Sequence, residues 1–191
     1  MKQFLTLKDL PNLDDAVIDS IELKKNPFQF EALGKKKTLG MLFFNPSLRT
    51  RLSTQKAAHY LGIHNMIMNF SNEAWALEFD DGTQMSGLRS EHIKEAAAVV
   101  SQYCDIIAIR AFASLNDKES DEAEKVLQNF AKYASIPVVN MESATAHPLQ
   151  ALADAITIKE HQSKKRPKIV LTWAPHPKAL PHAVGNSFIR M

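Results

Sequence analysis

The feature of this 191-residue sequence that most constrains its fold is the alternation of short apolar runs with longer amphipathic segments. The runs are of strand length, and most are apolar on both faces, as strands of parallel sheets are. They cover residues 38–44, 63–70, 105–112, 136–141 and 168–174. Strands that alternate with helices predict an α/β fold with a doubly wound parallel sheet. Ligands of such sheets bind beyond the carboxyl ends of the strands, so the residues after each run are the candidates for chemistry.

Three of the intervening segments repeat apolar residues at helical spacing, which predicts that each forms a helix with one face on the sheet. Their apolar stripes consist of Ile93, Ala96, Ala97, Val100 and Cys104, then Ala123, Val126, Leu127 and Phe130, and finally Leu149, Leu152, Ala153 and Ile156. A further helix is expected over 47–61, where Gly62 is placed to end it. The polar, basic stretch 160–167 predicts a domain boundary before the last run.

The charge balance and the single cysteine disfavour several classes of function. Lys and Arg number 23 against 21 Asp and Glu, an excess too small for a nucleic-acid-binding surface. Cys104 has no second cysteine with which to form a disulfide or a cysteine zinc site, so we expect a reducing, cytoplasmic location. The sequence has neither a signal-peptide pattern nor the run of roughly 20 apolar residues that a membrane span needs. It has no GxGxxG or GxxxxGK motif and no paired metal-ligand spacing, so no nucleotide cofactor or metal is expected.

The segment NPSLRTRLST follows the first apolar run, and Ser47 within it is a suitable N-cap for the next helix. Backbone N–H groups at a helix start bind phosphate, and the Ser47 and Thr50 hydroxyls with the Arg49 guanidinium would add donors. The pattern fits an ordinary capped helix with solvated arginines equally well.

Two further strand ends carry polar residues. Arg110 ends the third run at the expected ligand edge, although strand-end arginines more often reach solvent or pair with a carboxylate. The segment MESATAHPLQ follows the fourth run and places His147 directly before a proline that suits a first helical turn. His147 could donate to an oxyanion, Gln150 could pair with an amide-like group, and Glu142 could hold an ammonium or amide N–H. The alternatives are a capping histidine, a surface glutamine and a solvated glutamate.

The segment 71–89 is long for a connection and has no clear period, which is typical of functional or mobile loops. Its Trp75 could serve a site, or could pack on its own sheet as tryptophans usually do.

The motif SLRTR after the first run, HPLQ after the fourth and Arg110 between them resemble the aspartate/ornithine carbamoyltransferase family. The resemblance implies that the Ser-x-Arg-Thr and His-Pro-x-Gln turns bind carbamoyl phosphate. It also implies that residues 1–150 form the carbamoyl-phosphate-binding domain, that 151–166 are a linking helix and linker, and that 167–191 begin an acceptor domain. Family chains continue with a His-Cys-Leu-Pro turn and a late arginine, so the sequence is interpreted as an N-terminal portion.

Within this family, EAWALE and TWAPHPKALPHAVGNSF look most like the branch that carbamoylates N-acylated ornithine in arginine biosynthesis. The implied reaction moves the carbamoyl group of carbamoyl phosphate to the side-chain amine of N-succinyl-L-ornithine or N-acetyl-L-ornithine, without a cofactor. Its products are an N-acylcitrulline and phosphate. Trp75 stands where aspartate carbamoyltransferases use a loop lysine, which implies a homotrimer in which Trp75 completes the adjacent subunit's site. Within this branch, the residue at the position of Ser90 is a glutamate in enzymes with an N-acetylated acceptor and an uncharged residue in enzymes with an N-succinylated acceptor. The resemblance therefore favours N-succinylornithine as the acceptor.

The resemblance also assigns roles to individual residues. Carbamoyl phosphate would contact Ser47, Leu48, Arg49, Thr50, Trp75, Arg110, His147 and Gln150, of which Arg49, Thr50, Arg110 and His147 would be catalytic. The acylornithine would contact Glu142 and His176. Two alternatives stay open: an ornithine carbamoyltransferase that uses the free amino acid, and a non-catalytic module that binds carbamoyl phosphate or another anion.

Overall fold

Five parallel strands form the main sheet of the molecule. The structure is a computed structural model that describes residues 3–74, 76–85, 87 and 89–191. The strands of this sheet are β1 (Gln3–Phe4), β2 (Thr38–Phe43), β3 (His64–Asn69), β6 (Ile106–Arg110) and β7 (Val138–Glu142), and the short strands β4 (Leu77–Glu78) and β5 (Glu91–His92) pair in a second sheet. The order of strands across the main sheet is β1-β7-β6-β2-β3. The four longer strands confirm the first four predicted runs, with small shifts at their ends.

Local chemistry sets the ends of several helices. The helices are α1 (Leu13–Lys25), α2 (Glu31–Gly34), α3 (Arg49–Tyr60), α4 (Ile93–Tyr103), α5 (Lys118–Glu122), α6 (Lys125–Tyr133), α7 (Pro148–His161) and α8 (Ala183–Arg190), with a 3-10 turn at Leu7–Asp9. The Asn12 side chain caps α1 by accepting the amide N–H of Asp14 at 2.9 Å. Gly62 ends α3 in the left-handed conformation, with φ of 69°, as its position predicts.

Helices cover both faces of the sheet, which confirms the prediction of a doubly wound fold. Helices α4 and α6 pack on one face, around a buried cluster that includes Ile93, Ile107 and Phe130. The opposite face carries a second buried cluster, which includes Met41 of β2 and Ala58 of α3, and Leu149 of α7 packs against it. Successive residues of each strand thus face opposite layers, as the period of a strand requires.

The helix predicted around Ala123, Val126, Leu127 and Phe130 is two helices. The break between α5 and α6 lies at Glu124, whose φ of 44° is left-handed. The carboxylate of Glu124 accepts hydrogen bonds from the Thr145 amide at 2.8 Å and from its hydroxyl at 2.9 Å. This break therefore supports the turn that leads into α7, a long-range contact that helical spacing does not reveal.

The strand predicted for 168–174 is wrong. This segment has no regular secondary structure, and its apolar side chains are exposed, with Val170 at 68% and Trp173 at 58%. A strand needs a hydrogen-bonded neighbour, and the described part of the chain supplies none to these residues.

Within residues 3–74, 76–85, 87 and 89–191, every helix is too short or too polar to cross a membrane.

Candidate active site

The start of α3 lies just beyond the end of β2, at the carboxyl edge of the sheet. The Ser47 hydroxyl accepts the Thr50 amide N–H at 3.2 Å, so Ser47 makes the capping contact although the helix begins two residues later. Arg49 is exposed at this end, and Leu48 has 73% of its surface exposed. The helix start thus combines free amide N–H groups, a hydroxyl and a guanidinium, all of which favour an anion.

An irregularity in the sheet brings Arg110 and Glu142 together. The register of β6 with β7 pairs Ile109 with Asn140 and then Arg110 with Glu142, so β7 holds one extra residue there. The Arg110 guanidinium donates to the Glu142 carboxylate through a short contact at Nη1. Both residues are buried, with 7% and 8% of their surfaces exposed, so the prediction that a strand-end glutamate is more often solvated does not hold here.

Arg110 is also held by neighbours on two sides. Its Nη1 donates to the Thr50 hydroxyl at 3.1 Å, which links the end of β6 to the start of α3. Its guanidinium carbon lies 4.1 Å from the centroid of the Phe112 ring, within the range of a cation–π contact. The Nε of Arg110 is buried and has no hydrogen-bond partner among the described residues. Arg110 therefore keeps an unused donor at the ligand edge.

His147 caps α7 and stays neutral at physiological pH. Its Nδ1 accepts the Gln150 amide N–H at 3.3 Å, so the proton of the neutral ring lies on Nε2. Burial, and next the positive charge of Arg110, lower the pKa of His147 from 6.5 to about 4. The Nε2 atom lies 3.5 Å from Glu142, which makes this contact a neutral donor facing a carboxylate rather than an ion pair. Burial raises the pKa of Glu142, although the positive charge of Arg110 opposes the shift.

The turn before His147 is held by hydrogen bonds from α8 and β7. The Ser187 hydroxyl of α8, 5% exposed, accepts the His147 amide N–H at 2.8 Å. The Asn186 side chain donates to the Thr145 carbonyl at 3.3 Å. From β7, the buried Asn140 side chain donates to the Ser143 hydroxyl at 3.0 Å. These hydrogen bonds fix the course of the backbone at His147, and a preorganised donor needs such support.

One cavity of about 790 Å³ joins these groups. Its polar lining includes Ser47, Arg49, Thr50, Arg110, Glu142, His147 and Gln150, seven residues that the sequence singled out. The side-chain amide of Gln150 donates to the Asp154 carboxylate at 2.8 Å, so part of its hydrogen-bonding capacity is used within α7. Apolar side chains of α3, α7 and the sheet line the rest of the cavity. In the part of the chain that the structure describes, no group of three or more His, Cys, Asp or Glu residues could hold a metal ion.

Three predicted residues are not brought to this cavity. Leu48 points to solvent, and His176 lies on the exposed segment before α8, with its Nδ1 2.8 Å from the Lys178 carbonyl. Ser90 precedes β5, and its amide N–H donates to the Ala76 carbonyl at 3.3 Å. A further predicted residue, Trp75, lies outside the described residues.

Two contributors to the site were not predicted. Phe112 lines the cavity beneath Arg110, and its position two residues after Arg110, on the same polar edge, was a usable signal. Ser187 positions His147 from forty residues away in the chain, and no local pattern in the sequence marks it.

The chain is similar to enzymes of known reaction. N-succinylornithine carbamoyltransferase of Bacteroides thetaiotaomicron is 49% identical over 98% of this chain and 59% of its own length. N-acetylornithine carbamoyltransferase of Xanthomonas axonopodis pv. citri is 42% identical over 98% of this chain and 55% of its own length. The chain thus spans less than two thirds of the length of these relatives.

A solved structure extends the similarity to three dimensions. It is an N-acetyl-L-ornithine transcarbamylase mutant with glutamate replaced by serine, complexed with carbamyl phosphate and N-succinyl-L-norvaline. Its TM-score is 0.91 at 42% identity, covering 99% of this chain and 57% of that chain. Residues 2–160 match the family described as aspartate/ornithine carbamoyltransferase, carbamoyl-P binding domain. Because this match covers most of the sequence, the chain belongs to the aspartate/ornithine carbamoyltransferase family and contains its carbamoyl-phosphate-binding domain.

Proposed function

We propose that the chain is the carbamoyl-phosphate-binding part of an N-acylornithine carbamoyltransferase of arginine biosynthesis. The complete enzyme transfers the carbamoyl group of carbamoyl phosphate to the side-chain amine of N-succinyl-L-ornithine or N-acetyl-L-ornithine. The observation that carries the proposal is the convergence of Thr50, Arg110 and His147 on one cavity at the carboxyl edge of the sheet. The acylornithine carbamoyltransferases that the chain resembles support the choice of acceptor.

The reaction needs two kinds of stabilisation, and the cavity offers both. The neutral amine attacks the carbonyl carbon, a C–N bond forms, and the carbonyl oxygen becomes an oxyanion. The C–O bond to phosphate then breaks, phosphate leaves with the electron pair, and the amine proton passes to phosphate. Arg49, Arg110 and the amide N–H groups of α3 suit the phosphate, and the Nε2–H of His147 and the hydroxyl of Thr50 suit the oxyanion.

The neutral state of His147 supports this assignment. An imidazole with a pKa of about 4 keeps its Nε2 proton as a donor across the physiological range and stays a poor general acid. Glu142 forms an ion pair with Arg110 in the structure, so carbamoyl phosphate would compete with this carboxylate for the guanidinium. Glu142 is then free to hold the incoming amine, and His176 on the following segment completes the acceptor site.

Ser90 favours a succinyl acceptor in this proposal. A serine carries no carboxylate that would repel the succinyl carboxylate. In the solved mutant of N-acetyl-L-ornithine transcarbamylase, a glutamate-to-serine exchange accompanies an N-succinyl ligand, which supports the same preference.

The proposed domain organisation follows the family: 1–150 binds carbamoyl phosphate, 151–166 links, and 167–191 begins the acceptor domain. We further propose a homotrimer in which Trp75 completes the site of an adjacent subunit. Mixing a Trp75→Ala protein with an Arg49→Ala protein should then restore part of the activity, because some mixed trimers contain an intact site. If mixing restores no activity, both residues act within one subunit.

The test of the function is a ureido-product assay on the complete open reading frame that encodes this chain. Carbamoyl phosphate is supplied with N-succinylornithine, N-acetylornithine or free ornithine in turn. Product with an acylated acceptor is expected, and product with ornithine alone would make the protein an ornithine carbamoyltransferase. A folded protein that binds carbamoyl phosphate but forms no product would instead be a non-catalytic anion-binding module.

A further inference from the structure

Glu78 is a buried carboxylate outside the cavity, and it joins the two ends of the connection between β4 and β5. Its Oε1 accepts the amide N–H of Phe79 at 2.7 Å and of Asp80 at 2.9 Å. The same oxygen accepts from the Arg89 guanidinium at 2.7 Å. Only 7% of the Glu78 surface is exposed. One carboxylate thus binds the residues directly after β4 and the residue directly before Ser90.

The pairing of β4 with β5 places Ser90 next to the start of β4. Leu77 pairs with Glu91 and Glu78 pairs with His92 in parallel register. The Ser90 amide N–H donates to the Ala76 carbonyl, which extends the pairing by one residue. Leu77 is 6% exposed in the main core, so this end of the small sheet is anchored. The backbone position of Ser90 therefore depends on the strand that Glu78 ends.

Ion pairs attach the same connection to α4 and α6. Asp80 lies 2.7 Å from Lys125, and Asp81 lies 2.7 Å from Lys94. These four side chains are about half exposed, and such pairs contribute little individually. Glu78 differs because its carboxylate is buried and accepts three hydrogen bonds, so removing it would leave two part-buried amide N–H groups and a guanidinium without their acceptor. The hydrogen bonds also hold the pKa of Glu78 below its ordinary value, most strongly the one from the Asp80 amide.

We propose that Glu78 is a positioning residue for acceptor specificity: with Arg89 it fixes the backbone at Ser90, and so sets which acyl group the enzyme accepts. The proposal rests on the proposed function and adds to it a residue that touches neither substrate. Glu78 acts through Ser90, so its loss changes the choice between acceptors and not only the amount of folded enzyme.

Hydrogen exchange tests the structural half of the proposal without activity. In Glu78→Ala, the amides of Phe79, Asp80 and Ser90 should exchange about tenfold faster, while the amides of β2 and β6 keep their rates. Glu78→Gln keeps the shape of the side chain and one carbonyl oxygen, so it is expected to fold even if Glu78→Ala does not. The same amides should exchange faster in Glu78→Gln too, by a smaller factor. Glu160→Gln, which removes an exposed ion pair between α7 and Lys24 of α1, is the matched control. Unchanged exchange at Ser90 in Glu78→Ala would overturn the proposal.

Acceptor preference tests the functional half in the complete enzyme. The ratio of kcat/KM for N-succinylornithine to that for N-acetylornithine should fall about fivefold or more in Glu78→Gln, because discrimination is a difference between two acceptors. A purely structural loss lowers both values together and leaves the ratio unchanged, which would overturn the specificity role. If the wild-type enzyme uses neither acceptor, the proposed function and the specificity role both fail, and the exchange rates still decide whether Glu78 orders the segment.

Discussion

The pKa of His147 predicts a defined loss of stability in acid. The unfolded imidazole takes up a proton below about pH 6.5, whereas the folded one resists until about pH 4. The unfolded state thus binds more protons in this window, and the free energy of unfolding falls as pH falls through it. At about pH 5, about 1.5 pH units below the ordinary pKa, His147 lowers the free energy of unfolding by about 2 kcal/mol. This loss reaches about 3 kcal/mol below pH 4.

The assay compares urea unfolding of the wild-type protein and His147→Gln at about pH 7.5 and about pH 5. The variant lacks the titrating group and keeps a side-chain acceptor for the α7 cap. The difference in unfolding free energy between the two proteins should therefore shift by about 2 kcal/mol in favour of the variant at the lower pH.

A second comparison removes the neighbouring carboxylate. The raised pKa of Glu142 acts in the opposite direction, because protonating it in acid relieves a buried charge and favours the folded state. Repeating the measurement in a Glu142→Gln background should leave the His147 contribution in place. If the difference in unfolding free energy between the proteins with and without His147 stays constant from about pH 7.5 to about pH 5, the claim that burial keeps this imidazole neutral is refuted.

Three further results are expected. Gly40→Ala should destabilise the fold by about 1 to 3 kcal/mol in urea unfolding, because its Cβ would lie 2.7 Å from the Cys104 sulfur, and Cys104→Ala should restore part of the loss. Ser187→Ala should lower the unfolding free energy by about 1 to 3 kcal/mol, since the His147 amide loses its acceptor, and no change would show that water replaces the hydroxyl. In the complete enzyme, Arg49→Ala should slow turnover about 100-fold to 1000-fold in steady-state assays, and a near-normal rate would contradict the assigned role.

Much of the fold was predictable because its signals are local. A strand buried on both faces is apolar throughout, so β2 and β6 stand out in the sequence at nearly their observed bounds. Parallel strands bring their carboxyl ends to one edge, so the sequence predicts that Arg110 and His147 lie at the same edge of the sheet. The proline after His147 likewise predicts the start of α7.

The parts that sequence could not predict depend on long-range contacts. The burial of Glu142 follows from a change of register between β6 and β7. No residue type in either strand predicts this change. The break at Glu124 depends on its bonds to Thr145, a residue of another segment. The apolar run 168–174 has strand composition, but composition does not supply the neighbouring strand that would make it one.

The extra residue in β7 sets a limit on how far this protein can be stabilised by design. An even ladder that kept every residue of β7 and continued from the Ile109–Asn140 pair would place Met141, not Glu142, opposite Arg110. Glu142 would then lie one residue further along the strand, with its side chain shifted away from the guanidinium. A designer who made this sheet fully regular in that way would remove the ion pair at the ligand edge, so the irregularity has to be kept.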